Sequence, residues 1–425
     1  MSHKNRLVEN ISSLMVLQGA NYVLPLITLP YLVRVLGPGK FGLLAFAQAF
    51  TQYFVILTDY GFNLTATRQI AIHRDDTKKV SEIFSVVMII KFALMVVSFL
   101  LMAAIVLAVP MFHADWRVYF LTFLMVLGNV LFPVWFFQGM ERMKYITVLN
   151  ISAKFIAVVA IFVFVQKQSD YLIAAGIQSG GFVIAGLLGL FSLRRVAPLR
   201  SAFPSWRAIV ETLREGWHVF ISTGAISLYT SSNTFILGLV TNTVTVGYFS
   251  AADKLVRAVQ GILTPVSQAI YPHINALARQ SREAALTFIT KSLKWLGLVS
   301  LMGSVLLFIA AEPLVMLVLG SQYAASIALL RWMAFLPFII AMSNVFGMQT
   351  MLTFGMDRLV GRILLLAGLI NLTIIVPLVC ALGPAGAAIS LLITETFVVV
   401  ACWYVLEKGH IHLLSARKRP SPTAV

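Results

Sequence analysis

Eight side chains that are charged at neutral pH fall inside long apolar stretches of this chain. Five are basic (Lys91, Lys154, Lys254, Arg257 and Arg331) and three are acidic (Asp59, Asp253 and Glu395). A charge at the centre of a bilayer costs ~2.5–3.5 kcal/mol even on lenient scales, so such residues are expected to face a cavity or a partner. Asp253 and Arg257 stand four apart on one helix face and are expected to neutralise each other. Lys91 lies about eight residues into its stretch, within snorkelling reach of the near surface. Asp59 and Arg331 are placed near the ends of theirs. Lys254 has no acid three or four residues away. Lys154 has none either, and its helical neighbour is Asn150. These two lysines are therefore the leading candidates for unpaired charges lining a cavity. The basic surplus suits an anionic substrate, with phosphate the first class to consider.

Enzyme chemistry has little to stand on. The chain has no HExxH, GxSxG, Walker or Rossmann glycine pattern. Of the seven histidines only His218 opens an apolar stretch. Asp75 and Asp76 pair up among Arg74, Lys78 and Lys79, which reads as a solvated charge cluster. Cys380 and Cys402 have no metal or redox spacing and read as small packing residues. No cofactor and no metal are expected. Trp135, Tyr22 and Tyr229 have the chemistry to stack on sugar rings, although packing or interfacial roles are the commoner use of such aromatics.

The elements that must position these charges follow from composition. The chain has 425 residues, is 59% apolar and only 11% charged, and carries a net charge of +16. Its mean hydropathy is +0.90. A soluble domain is about a quarter charged, so a soluble enzyme, a disordered chain and a fibrous protein are excluded. A nucleic-acid binder does not tolerate this apolar content. Spans need ~20 apolar residues, and twelve such stretches are expected: 10–33, 41–66, 83–109, 119–137, 145–165, 171–191, 218–240, 244–270, 295–309, 326–348, 363–381 and 386–406. Residues 312–323 are apolar as well, and either extend the ninth span or form a re-entrant turn. Pro25, Pro30, Pro133, Pro265, Pro337 and Pro377 are expected to kink their helices. No cleavable signal peptide is expected. Alternate assignment of the loops puts 23 of the 32 Lys and Arg on the N-terminal side, 4 on the other and 5 within spans. That bias predicts cytoplasmic termini.

The longest hydrophilic stretch, 194–217, divides six spans from six. From Ser205 onward Trp206, Ile209, Val210, Leu213 and Trp217 recur at helical spacing opposite Arg207, Glu211, Arg214 and Glu215, which predicts an amphipathic helix on the inner membrane face. The expected domains are a six-helix lobe over 1–193, this connector over 194–217, a second six-helix lobe over 218–406 and a basic tail over 407–425. A shift of 205 residues superposes Gly19, Ala20, Leu32, Val35, Gly42 and Ala47 on Gly224, Ala225, Leu237, Val240, Gly247 and Ala252. Repeated halves around a central cavity are a common transporter plan. The fold class expected is an all-α polytopic membrane protein of twelve transmembrane helices in two lobes related by a pseudo-two-fold.

Two stretches carry a family resemblance. One runs from Tyr31 through Arg34, Gly37, Pro38, Phe41 and Gly42 to Ala47. The other runs from Pro133 through Trp135, Gln138, Gly139, Glu141, Met143, Ile146 and Asn150 to Lys154. They resemble the polysaccharide repeat-unit flippases, the Wzx or O-antigen transporter family. Asp59–Phe62, Ala251–Leu255 and Gly383–Ala388 echo it more weakly. The resemblance implies the two-lobe fold of the superfamily that includes the multidrug antiporters. It implies an undecaprenyl-pyrophosphate-linked oligosaccharide as cargo, carried across the bacterial inner membrane by alternating access and driven by an ion gradient. Lys154, Lys254, Gln138 and Asn150 are the implied cavity residues, with Arg257, Lys91 and Arg331 as further candidates. Asp59, Asp253 and Glu395 are the candidates for ion coupling. Membrane lipid, a polysaccharide polymerase and a chain-length regulator are the partners implied, and no nucleic acid is expected. Three alternatives stand beside this reading: a multidrug or cation antiporter of the same fold, a membrane polysaccharide polymerase, and a lipid II flippase. The basic surplus argues against the first and the lack of a large external loop against the second. The third often has helices beyond twelve.

Overall fold

The computed structural model describes the backbone of residues 3–196, 198–199 and 204–413, with the side chains of all but 3–12, 14, 15, 22, 194, 222, 223, 225–231 and 269. The basic tail beyond 413 and the side chains of Tyr22 and Tyr229 lie outside the described residues. Among the described residues there is no strand.

Helix α1 (His3–Asp59) holds the first two spans as two legs. They part at Gly37, whose φ of 68° is in the left-handed region that glycine enters freely. Pro38 then opens the second leg with its φ already helical. The second leg stops at Asp59, earlier than the expected 66, because Tyr60 and Gly61 both take positive φ. The chain turns there into α2 (Phe62–Ile72). Asp76 caps α3 (Thr77–Ala108), its carboxylate accepting the backbone N–H groups of Lys78 and Lys79. After the short α4 (Pro110–His113) the fourth span is built from three pieces, α5 (Trp116–Thr122), α6 (Leu124–Leu131) and α7 (Val134–Gly139), with Pro133 at the last joint. The helices α8 (Met143–Phe164) and α9 (Tyr171–Val196) follow.

Helix α10 (Trp206–Val240) runs unbroken from the amphipathic connector through the seventh span. Ser205 caps it by accepting the Ala208 N–H. Its first turns pack Ile209 and Leu213 on the first lobe and leave Trp206 77% exposed. The second lobe continues with α11 (Thr243–Gln280), α12 (Arg282–Ile309), α13 (Ala311–Leu314), α14 (Ser326–Met333), α15 (Leu336–Ser343), α16 (Asp357–Leu382) and α17 (Pro384–Lys408). A nine-residue π-helical stretch, Asn344–Leu352, continues α15. Pro133 and Pro337 stand at helix starts, whereas Pro25, Pro30, Pro265 and Pro377 lie within helices. Among the described residues nine helical segments are long and apolar enough to cross a membrane. One of these contains both legs of α1, and α10 and α11 add two more long helices, so the architecture is consistent with twelve traverses. The chain is a multi-pass membrane protein of all-α fold.

The two halves meet most closely where α1 crosses α11. A Cβ added to Gly42 would lie 1.7 Å from the carbonyl oxygen of Thr243 and 2.5 Å from the nitrogen of Gly247. A Cβ on Gly247 would lie 2.1 Å from the carbonyl oxygen of Pro38. Those partners are equivalents under the 205-residue shift, so the contact is self-reciprocal. The same end of the bundle is closed by residues 315–323, a chain of short turns rather than an extension of α12. Gln322 Nε2 donates to the carbonyls of Val33 and Arg34, each at 3.1 Å, and Arg34 donates to the carbonyl of Leu317. Tyr323 is fully buried between Phe41 and Tyr248. Below this seam Phe46 and Phe50 stack on Phe235 with ring centroids 5.4 and 5.7 Å apart.

Candidate functional site

Lys154 and Lys254 come together. They line one cavity of about 270 Å³ whose walls are otherwise mostly apolar: Leu29, Leu32, Phe41 and Leu44 from α1, and Ile161 from α8. Lys154 reaches it from the middle of α8 and donates to Asn21 Oδ1 on the first leg of α1. Lys254 reaches it from α11, seven residues past Gly247 and so about 10 Å below the seam at 1.5 Å per residue. Both lysines are half-buried. Among the described residues no carboxylate forms an ion pair with either. A cavity with two ammonium groups and apolar walls attracts a polyanion and strengthens every electrostatic contact made inside it.

The cavity adjoins a second compartment between the lobes. Gln48 and Lys254 line both, and the second adds Gln52, Thr234, Asp253 and Arg257. A third cavity, of about 380 Å³, lies within the second lobe and shares Asp253 and Arg257 with the second. Glu395 of α17 and Asn344 of the π-helical stretch line it. Asp253 Oδ2 accepts from Arg257 Nε at 2.6 Å, the pair expected from their spacing. Glu395, the remaining acid of the third cavity, stands opposite them. Shared lining residues connect the three compartments, so that Lys154, Lys254, Arg257 and Glu395 line adjoining spaces.

Other expected site residues lie elsewhere. Lys91 does not snorkel. It is 1% exposed, with its ammonium 3.7 Å from Asp59 and 3.5 Å from the carbonyl of Asn129. Asp59 also accepts two bonds from Asn63 Nδ2, at 2.9 and 3.0 Å. This pair closes the break after α1 and has no wall in the lysine cavity. Gln138 is likewise remote, because α7 packs on α2 through Gly139 against Ile70 and leaves Gln138 3.4 Å from Thr67. Asn150 is only peripheral: it donates to the Ile146 carbonyl and lines a small side pocket beside Lys154. Arg331 pairs with Glu312 at 3.5 Å, near the seam and away from the cavity. Trp135 is fully buried against Phe84 and Phe136, so it offers no face to a sugar. Asp76 serves α3 as a cap. Sequence reading missed Asn21, Gln48, Gln178 and Gln52, uncharged amides that carry no periodic signal in an apolar run.

Known proteins place this arrangement. Residues 7–278 match the family model described as polysaccharide biosynthesis protein. A relative from Escherichia coli (strain K12) is 38% identical over 93% of this chain and 96% of its own length. Another, from Shigella dysenteriae, is 30% identical over 92% of this chain and 98% of its own. Both carry the name "Putative O-antigen transporter". Among solved structures, an inward-facing multidrug resistance MATE family transporter of the MOP superfamily is similar with a TM-score of 0.72 at 14% identity, over 94% of this chain and 98% of that one. The lipid II flippase MurJ in an inward closed conformation is similar with a TM-score of 0.68 at 12% identity, over 94% and 87%. At those identities the likeness is one of fold. With sequence match, fold and cavity in agreement, the chain belongs to the polysaccharide biosynthesis protein family.

Proposed function

We propose that the chain is a flippase that moves an undecaprenyl-pyrophosphate-linked oligosaccharide across the bacterial inner membrane by alternating access. The observation that carries this reading is the shared cavity of Lys154 and Lys254, one lysine from each half, with no carboxylate paired to either among the described residues. A diphosphate brings the negative charge such a cavity requires. The apolar walls beside the lysines suit the first isoprene units, and the more polar compartment between the lobes, with Gln48, Gln52, Thr234 and Ser250, suits the sugars. The names of the two bacterial relatives favour the same cargo class over a cationic drug.

The two six-helix lobes, 1–193 and 218–406, rock against each other so that the α1–α11 seam parts in one state and closes in the other, with the connector 194–217 on the cytoplasmic face. The basic bias supports cytoplasmic termini; in that orientation the Gly37 end faces outward and a seam closed there leaves the cavity directed inward. Glu395, beside the Asp253–Arg257 pair, is the acid best placed to couple an ion gradient. A polymerase and a chain-length regulator would receive the cargo on the outer face.

The test is genetic and biochemical. Deleting the gene is expected to accumulate lipid-linked repeat units on the inner leaflet. Re-expression of the wild type should restore surface polysaccharide, and the double variant Lys154→Ala/Lys254→Ala should not. Full export by the double variant, at wild-type protein levels, overturns the reading.

A further inference from the structure

Gln48 and Gln178 form an amide pair inside the lysine cavity. Gln48 sits on the second leg of α1 and Gln178 on α9, and Nε2 of Gln48 donates to Oε1 of Gln178 at 2.7 Å. Both are half-buried. Both line the cavity that holds Lys154 and Lys254, and Gln48 also lines the adjoining compartment between the lobes. The pair therefore stands where the two spaces join.

That bond uses one donor and one acceptor of the pair. Gln48 keeps an N–H and its carbonyl oxygen, and Gln178 keeps its whole NH₂ group and a second lone pair. Among the described residues no protein group takes any of them. The unspent groups are not sealed in the packing but border the cavity space, where a ligand can reach them. The pair's chemistry also differs from that of its neighbours. A lysine offers only donors and a full charge, which matches a phosphate. A neutral amide offers a donor and an acceptor side by side, which matches a hydroxyl or acetamido group on a sugar ring, since these too both give and accept.

We infer that Gln48 and Gln178 read the sugar next to the diphosphate and so set which glycan the cavity accepts. The inference rests on the flippase reading, with the lysines holding the diphosphate in the same cavity. A site built to hydrogen-bond a sugar rejects a ligand lacking it, because its polar groups are then left unpaired. A pair that merely glues α1 to α9 would show no such discrimination.

The experiment measures binding of two probes to the full chain in lipid nanodiscs: undecaprenyl diphosphate, and the same lipid bearing one N-acetylglucosamine. Wild type is expected to bind the sugar-bearing lipid about tenfold more tightly, the worth of one good added contact. Gln48→Leu and Gln178→Leu should each abolish that preference while binding of the bare lipid stays within about twofold, a shift too small to count as a lost contact. Gln48→Asn keeps an amide one methylene shorter, protects the fold, and should give an intermediate preference. The inference is overturned if the leucine variants keep the preference, if they weaken both lipids equally, or if Gln48→Asn retains the full preference. Wild type that binds the bare lipid without favouring the sugar also sinks it, leaving the flippase reading intact. Wild type that binds neither lipid sinks both.

Discussion

At the residue scale the intramembrane charges sort into two kinds, those that answer each other and those left facing a cavity. Lys91 and Asp59 are of the first kind. Replacing Lys91 with Met leaves the Asp59 carboxylate without its counter-charge, and breaking a buried pair from one side costs about 3 kcal/mol or more. A lowered melting temperature is expected for Lys91→Met in detergent, with most of the loss recovered in Lys91→Met/Asp59→Asn. Were the single variant as stable as wild type, the pair would not be structural. Lys154 and Lys254 were legible in the sequence because the absence of acids at helical spacing is a local property. The Lys91–Asp59 pair was not, since it joins residues 32 apart across a helix break. Gln48, Gln178 and Asn21 were invisible for a different reason: an amide carries no charge to count and gains its meaning only from what the fold sets opposite it.

The helices themselves were read well where hydropathy speaks, and less well where backbone conformation decides. Length and apolarity located α3, α8, α9, α16 and α17 closely. The early stop of α1 depends on two consecutive left-handed residues, Tyr60 and Gly61, and only the glycine signals itself. Nothing in composition separates a fourth span made of one helix from one made of three. Likewise the connector appeared as its own amphipathic unit because its charges end at Glu215, although the backbone continues as helix to Val240. The sharpest constraint at this scale is the α1–α11 crossing. Gly42→Val is expected to lower the melting temperature severely, because its Cβ would collide with backbone rather than with a movable side chain. Gly19→Val serves as a control, since a Cβ there meets nothing within 4 Å. Equal melting temperatures for the two variants would refute the tight crossing.

Across the whole molecule, the closed seam and the cavity below it stand as two ends of one device. If the lobes part at the Gly37 end during transport, tying them there must stop it. In a background with Cys380 and Cys402 replaced by Ser, the pair Arg34→Cys/Gln322→Cys is expected to accept a short bifunctional thiol reagent. Cross-linking should then halt repeat-unit export, and cleavage of the linker should restore it. Undiminished export by the cross-linked protein would show that this seam does not open. The seam has a further consequence for origin. Gly42 leans on Thr243 while Gly247 leans on Pro38, so each half offers the other the same surface. That is the signature of an isologous dimer interface about a two-fold axis. A six-helix ancestor carrying a single such glycine would have met its twin there, and one gene duplication with fusion through the connector would tether that homodimer into a single chain whose halves were afterwards free to diverge, one toward Lys154 and the other toward Lys254.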